Sequence, residues 1–144
     1  MRVRGNFTMD SSLHTMRRSQ RQRHISVLVA DKNAHFRETI RRVLSRLGQC
    51  VASGEASTVA EVISQVTSTR FDLVLLDIEM VTQDRLAELK RLGQRLPDMK
   101  VAVLLSDDTP EYREAVERHG GHFCVAKDSL EDQLPPVLKR AVAS

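Results

Sequence analysis

Hydrophobic and polar positions fall in blocks along the chain, and two kinds of block take turns. Short aliphatic runs, ISVLVA (25–30), LVLL (73–76), VAVLL (101–105) and FCVA (123–126), are apolar at nearly every position, as strands are when both faces of a sheet are covered. QCVAS (49–53) is a weaker fifth run. Between the runs, apolar residues recur at helical spacing: Phe36, Ile40, Val43, Leu44 and Leu47; Val59, Val62, Ile63 and Val66; Leu86, Leu89, Leu92 and Leu96; Tyr112, Ala115, Val116 and His119. Each set predicts a helix with one apolar stripe facing a sheet.

The punctuation between blocks agrees. Ser57 precedes the second helical set, Thr109 stands before Pro110, which suits a first helical turn, and Gly48 and Gly120 follow the ends of two others. Gly120-Gly121 predicts a turn into the fifth strand. The last segment, SLEDQLPPVLKRAVAS (129–144), holds Pro135 and Pro136, and an interior proline costs a helix about 3 kcal/mol. A short turn is therefore expected over 129–134, with Asp128 or Ser129 as cap. The helix proper is expected from Pro135, with Val137, Leu138 and Ala141 packed on the fifth strand.

Five alternations of strand and helix imply a parallel sheet with helices on both faces, because parallel neighbours need right-handed crossovers. The predicted fold is α/β, a flavodoxin-like doubly wound sheet of five strands in the order 2-1-3-4-5.

Composition divides the chain unevenly. At 144 residues and 41% hydrophobic it suits one domain with a real core. Residues 1–24 hold six arginines and one acid, Asp10, while the remaining 120 residues carry 16 basic and 18 acidic side chains. The net charge of +3 thus comes from the tail. Residues 1–24 are expected to be a disordered basic leader, and 25–144 the domain. Clustered arginines attract phosphate without sequence preference, so weak nucleic-acid contact through the tail stands beside the plainer reading of a solvated leader. No apolar run reaches the roughly 20 residues that span a bilayer, so no membrane partner is expected and the protein is expected to be cytoplasmic. Cys50 and Cys124 lie in apolar runs and read as reduced core residues. His35, His119 and His122 lack ligand-like spacing.

The chemistry gathers at strand ends. Asp31 closes the first strand in VLVAD, Asp77 the third in FDLVLLDIEM (71–80), and Lys127 the fifth in FCVAKDS (123–129). In an open parallel sheet the carboxyl ends form the crevice at the topological switch point. Two acids and a lysine from separate strands would then share one rim, which core packing alone does not favour.

These motifs, with 46 positions from Asp31 to Asp77 and 50 from Asp77 to Lys127, resemble the receiver domain of two-component response regulators from residue 25 to about 142. The resemblance implies phosphoryl transfer in a phosphorelay. Asp77 would accept the group from a histidine kinase or phosphotransfer protein, and Lys127 would grip a phosphoryl oxygen. Magnesium would be held by Asp31, Asp77 and the backbone carbonyl of Glu79. Such a cation and ammonium neutralise the phosphoryl oxygens as the carboxylate approaches.

The sequence departs from the family pattern at four places. Receivers usually carry two adjacent acids after the first strand, and the second is here Lys32. An ammonium in place of a carboxylate is expected to weaken magnesium binding. Lys32 itself has two readings, a solvent-facing substitution or a lysine paired with Asp77. The hydroxyl that usually ends the fourth strand falls on Leu105; Ser106 is one position late and substitutes for it only if the loop bends, since strand side chains alternate faces. Cys124 replaces a common aromatic. The loop MVTQDR lacks the usual Pro and Gly.

The leading function is a stand-alone receiver that accepts phosphate on Asp77 and signals by contact with a downstream protein. It is not an enzyme beyond its own modification. A phosphorylation-independent interaction module and a fragment of a DNA-binding response regulator are the alternatives. The unusual last helix leaves homodimerisation open.

Overall fold

Five strands pair in parallel: β1 (Ile25–Ala30), β2 (Cys50–Ala56), β3 (Leu73–Asp77), β4 (Lys100–Leu105) and β5 (Phe123–Ala126), in the order β2-β1-β3-β4-β5. The computed structural model describes residues 24–48, 50–81, 87, 90, 91, 93–96, 98–118 and 120–143. Helix α1 (Ala34–Arg46) follows β1 and α2 (Val59–Ser68) follows β2; α3, of which residues 87, 90, 91 and 93–95 are described, follows β3. Then come α4 (Pro110–Arg118) and α5 (Leu130–Val142). Leu86, Leu89, Leu92, His119 and the basic leader 1–23 lie outside the described residues, as does most of the loop MVTQDR.

Strand alternation sorts the core into two layers. Val27, Val29, Leu73, Leu75, Ala102, Leu104 and Val125 pack against α1 and α5, through Ile40, Leu44, Leu134 and Leu138. Leu28, Ala30, Val74, Leu76, Val101, Val103 and Leu105 face the other way, against Val62, Val66 and Val116. Each fully buried leucine contributes roughly 1.5–3 kcal/mol. A sheet covered on both faces is what the continuous apolar runs require.

Local details refine the sequence reading. β2 runs three residues past the expected QCVAS, through Gly54, Glu55 and Ala56. An edge strand tolerates a polar end, and Glu55 is held there by Arg37 and Arg41 at 2.9 and 2.8 Å. A Cβ on Gly54 would lie 3.1 Å from both Leu28 Cδ1 and Phe71 Cζ and 2.5 Å from the end of the Gln65 side chain, so a larger residue there requires these side chains to shift. The cap of α2 is Thr58 and not Ser57: Thr58 Oγ1 accepts from Glu61 N at 3.1 Å, while Glu61 Oε1 reaches back to Ser57 N at 2.7 Å. Gly48 ends α1 with φ +74°, a conformation that favours glycine. Thr109 caps α4 as expected, its Oγ1 accepting from Tyr112 N at 3.2 Å.

Two expectations are corrected. Tyr112 is 47% exposed and Val116 is the buried residue of α4. Periodicity shows which residues share a face, not how far along the helix that face is covered. The last helix starts at Leu130 rather than Pro135, with both prolines inside it and no side-chain cap from Ser129. The carbonyls that Pro135 and Pro136 leave without a helical donor belong to Glu131 and Asp132, both exposed to water. Burying Leu130 and Leu134 on the sheet favours helix ahead of the prolines. Val137, Leu138 and Ala141 continue that stripe, in the same layer as Val125 of β5.

Candidate functional site

The carboxyl ends of β1, β3 and β5 meet over a cavity of about 280 Å³ lined by Asp31, Lys32, Asn33, Phe36, Asp77, Glu79 and Lys127. Asp31 follows the last residue of β1 and is 1% exposed; Asp77 ends β3 and is 3% exposed. Lys127 opens the 3-10 turn Lys127–Ser129 after β5 and stretches back over the rim. Its Nζ lies 2.8 Å from Asp31 Oδ2 and 3.3 Å from Asp77 Oδ1, with the Phe36 ring 4.5 Å away. The three residues singled out in the sequence therefore converge.

Short-range bonds fix each acid. Asp31 Oδ1 accepts from Asn33 N at 2.8 Å, and Asn33 caps α1 by accepting from His35 N at 2.9 Å and Phe36 N at 3.2 Å. Arg37 Nη1 donates to the Asp31 carbonyl at 2.5 Å while its Nε is held by Glu55. Asp77 Oδ1 accepts from Glu79 N at 3.2 Å, in the turn Ile78–Met80.

Charge in this site is unevenly distributed. Burial pushes the Asp77 carboxyl above the usual carboxylate range, Asp31 adds to the rise, and the Glu79 N–H and Lys127 oppose it without cancelling it. Burial alone would pull Lys127 down, but the two carboxylates outweigh it and hold the ammonium above the ordinary lysine value. Asp72, the third buried acid, sits at the opposite rim and accepts from Ser26 N at 2.8 Å. Its place is structural.

The remaining predicted residues are distributed as follows. Lys32 lines the cavity, is exposed, and makes no ion pair among the described residues. Ser106 is exposed and is not among the lining residues, while Leu105 is buried in the core at 1% exposure. Cys124 is a free, half-buried thiol that burial pushes up. Glu79 is exposed at the cavity mouth. A larger hollow of about 410 Å³ lies beneath the other ends of β3 and β4, lined by Arg70, Phe71, Arg95 and Met99 among others, and holds no buried titratable group. Asn33 and Phe36, which line the cavity, and Arg37, which holds the Asp31 carbonyl, carry no signal in the sequence that marks them as part of the site. Phe36 reads in sequence as one more residue of a helical stripe.

The chain is thus a doubly wound α/β domain with an acid pair and a lysine at the carboxyl rim of its sheet. The response regulator receiver domain family matches residues 27–139, and the chain belongs to that family. DegU of Brevibacillus brevis, a transcriptional regulatory protein, is 30% identical over 117 residues, covering 80% of this chain and 49% of that one. YxjL, an uncharacterized transcriptional regulatory protein of Bacillus subtilis (strain 168), is 29% identical over 81% of this chain and 54% of its own. The chain spans about half the length of these two regulators. Among solved structures, the signal receiver domain of NarL from Mycobacterium tuberculosis superposes with a TM-score of 0.73 at 25% identity, over 85% of this chain and 99% of that one. The receiver domain of Thermotoga maritima CheB shares the fold, with a TM-score of 0.69 at 18% identity, over 83% of this chain and 97% of that one.

Receiver domains are signalling modules of two-component systems that are phosphorylated on an aspartate, and they generally bind magnesium at that acidic site. The donors present fit a hard divalent cation in kind: Asp31 and Asp77 offer carboxylate oxygens, and buried Asp31 Oδ2 accepts no aligned hydrogen bond among the described residues. Its close contact is the charge of Lys127. The set is short by one carboxylate, and no group of three His, Cys, Asp or Glu side chains among the described residues could hold a metal. No described helix is long and apolar enough to cross a membrane.

Proposed function

We propose that this receiver accepts a phosphoryl group on Asp77 from the phosphohistidine of a histidine kinase or phosphotransfer protein. The observation that carries this reading is the convergence of Asp31, Asp77 and Lys127 on one cavity open to solvent. A carboxylate oxygen of Asp77 attacks phosphorus; the P–O bond forms as the P–N bond breaks, and the electron pair leaves on the imidazole, which takes up a proton from water.

The difficulty of that step is electrostatic, because an anion approaches an anion. Lys127 meets it from a fixed position with little reorganisation, since two carboxylates and the Phe36 face already hold its ammonium. Magnesium, when bound, would be held by Asp31, Asp77 and the Glu79 carbonyl and would neutralise phosphoryl charge. Lys32 at the same cavity weakens that hold. The Glu79 N–H orients the Asp77 carboxylate.

The signal leaves by contact with a downstream protein target. DegU and YxjL are transcriptional regulators of which this chain matches only about half, so an output module belongs to the kind of assembly in which such a domain serves.

Intact mass after incubation with a small phosphodonor and magnesium tests the reading. The wild-type chain is expected to gain one phosphoryl group and Asp77→Asn none. No adduct on wild type, or one that survives the substitution, rejects it.

A further inference from the structure

β5 is an edge strand, so backbone N–H groups that point away from β4 meet no further strand. At Ala126, the residue just before Lys127, a side chain takes that role: Ala126 N donates to Gln133 Oε1 at 2.8 Å. The same oxygen accepts from Arg113 Nη2 at 3.4 Å. Arg113 donates in turn to both carboxylate oxygens of Asp108, through Nη2 at 2.9 Å and through Nε at 2.5 Å. One hydrogen-bonded chain thus runs from the loop after β4, through α4 and α5, to the backbone that launches the lysine of the acidic cavity.

We propose that Gln133 is a positioning residue for Lys127, and that the Asp108–Arg113–Gln133 chain couples the loop after β4 to the cavity's ammonium. Lysine has a long flexible stem, so where its Nζ rests depends on where its backbone is held as well as on its partners. Gln133 is half-buried and its acceptor oxygen lies one peptide from Lys127. The outer link is a two-point Arg–carboxylate pair, the geometry that best fixes a guanidinium in space. This chain also supplies a connection between loop and cavity where Leu105 and Cys124 offer neither a hydroxyl nor an aromatic ring. Asp108, Arg113 and Gln133 are not among the residues that line the cavity. The effect of their hydrogen-bonded chain on phosphoryl transfer rests on the acceptor reading of Asp77, whereas its effect on Lys127 does not.

The test compares the full chain with Gln133→Leu, which removes the acceptor at similar volume, and Gln133→Glu, which restores one. Hydrogen exchange of the Ala126 amide and of the Lys127 ammonium is followed by nitrogen-15 NMR, beside the rate of adduct formation with acetyl phosphate. Gln133→Leu is expected to speed both exchanges and to slow the adduct by about tenfold to a hundredfold, the cost of a misplaced catalytic group. Gln133→Glu is expected to recover both. Arg113→Met, which leaves α5 untouched, is expected to shift the Lys127 exchange in the same direction, and it serves if Gln133→Leu does not fold. A Lys127 exchange rate at the wild-type value in Gln133→Leu or in Arg113→Met would overturn the proposal, as would an unchanged Ala126 amide in Gln133→Leu. If wild type forms no adduct, the acceptor reading fails by itself, and the Lys127 exchange still decides the positioning.

Discussion

Oδ2 of Asp31 and Nζ of Lys127 lie 2.8 Å apart although β3 and β4 separate their strands in the sheet. The lysine spans that distance by passing Asp77 Oδ1 at 3.3 Å and the Phe36 ring at 4.5 Å. One ammonium therefore serves two buried carboxylates, and each of the three groups depends on the other two.

Removing the ammonium exposes that dependence. Lys127→Met leaves Asp31 and Asp77 facing each other without their shared cation, and the expected loss is about 3 kcal/mol in urea unfolding at neutral pH. The loss should shrink in acid as the carboxylates take up protons. An unchanged midpoint at neutral pH would show that the ion pairs contribute nothing net.

Asp77→Asn should do the opposite. The folded-state pKa of Asp77 is raised above its unfolded value, chiefly by burial, so its ionised form is disfavoured by folding. The sign follows: stability linked to this group is present below the unfolded pKa and lost as pH rises through the folded one. A neutral amide escapes that loss, and a Tm gain of a few degrees at neutral pH, on the order of 1 kcal/mol, is expected to vanish toward acid. A Tm gain that stays constant with pH would contradict it.

The proposed magnesium site gives Lys32 a testable role. Lys32→Asp changes the cavity by two charges in favour of a dication, and magnesium affinity measured by calorimetry should rise by about tenfold or more. Equal affinity in the two proteins would show that Lys32 does not act on the ion.

His122 gives a pH signature distant from the cavity. Val101 N donates to His122 Nδ1 at 3.0 Å, a bond that requires the neutral ring. Burial, helped by Lys100, lowers its pKa. A lowered histidine binds fewer protons folded than unfolded, so stability falls as pH drops below the unfolded value of about 6.5. The hydrogen bond at stake is worth about 1 kcal/mol. His122→Asn, which keeps an acceptor that does not titrate, is expected to flatten the Tm profile between neutral and mildly acid pH; an identical slope would exclude His122 as its source.

The fold was legible because both signals that specify it are local. Runs such as LVLL and stripes such as Ile40, Val43 and Leu44 each report burial on their own segment, and their alternation leaves few topologies. The rim was legible for a related reason: Asp31, Asp77 and Lys127 each interrupt an apolar run at the same end. What escaped notice depends on partners far along the chain. Phe36 looks like core until Lys127 is laid over it. Gln133 carries no pattern at all, because its meaning lies in the Ala126 N–H of an edge strand, to which it supplies the acceptor. The start of α5 is not legible locally, because the burial of Leu130 and Leu134 that offsets the proline cost depends on the sheet beneath them.

The central claim is that Asp77 carries the phosphoryl group, and locating the acyl phosphate by chemistry tests it most directly. After incubation with acetyl phosphate, borohydride reduction converts an aspartyl phosphate to homoserine, and peptide mass spectrometry finds the residue. The expected result is homoserine at position 77 alone, abolished by Asp77→Asn. Homoserine at Asp31 or another acid, or none in the wild-type chain under conditions where a control receiver is labelled, would contradict the account.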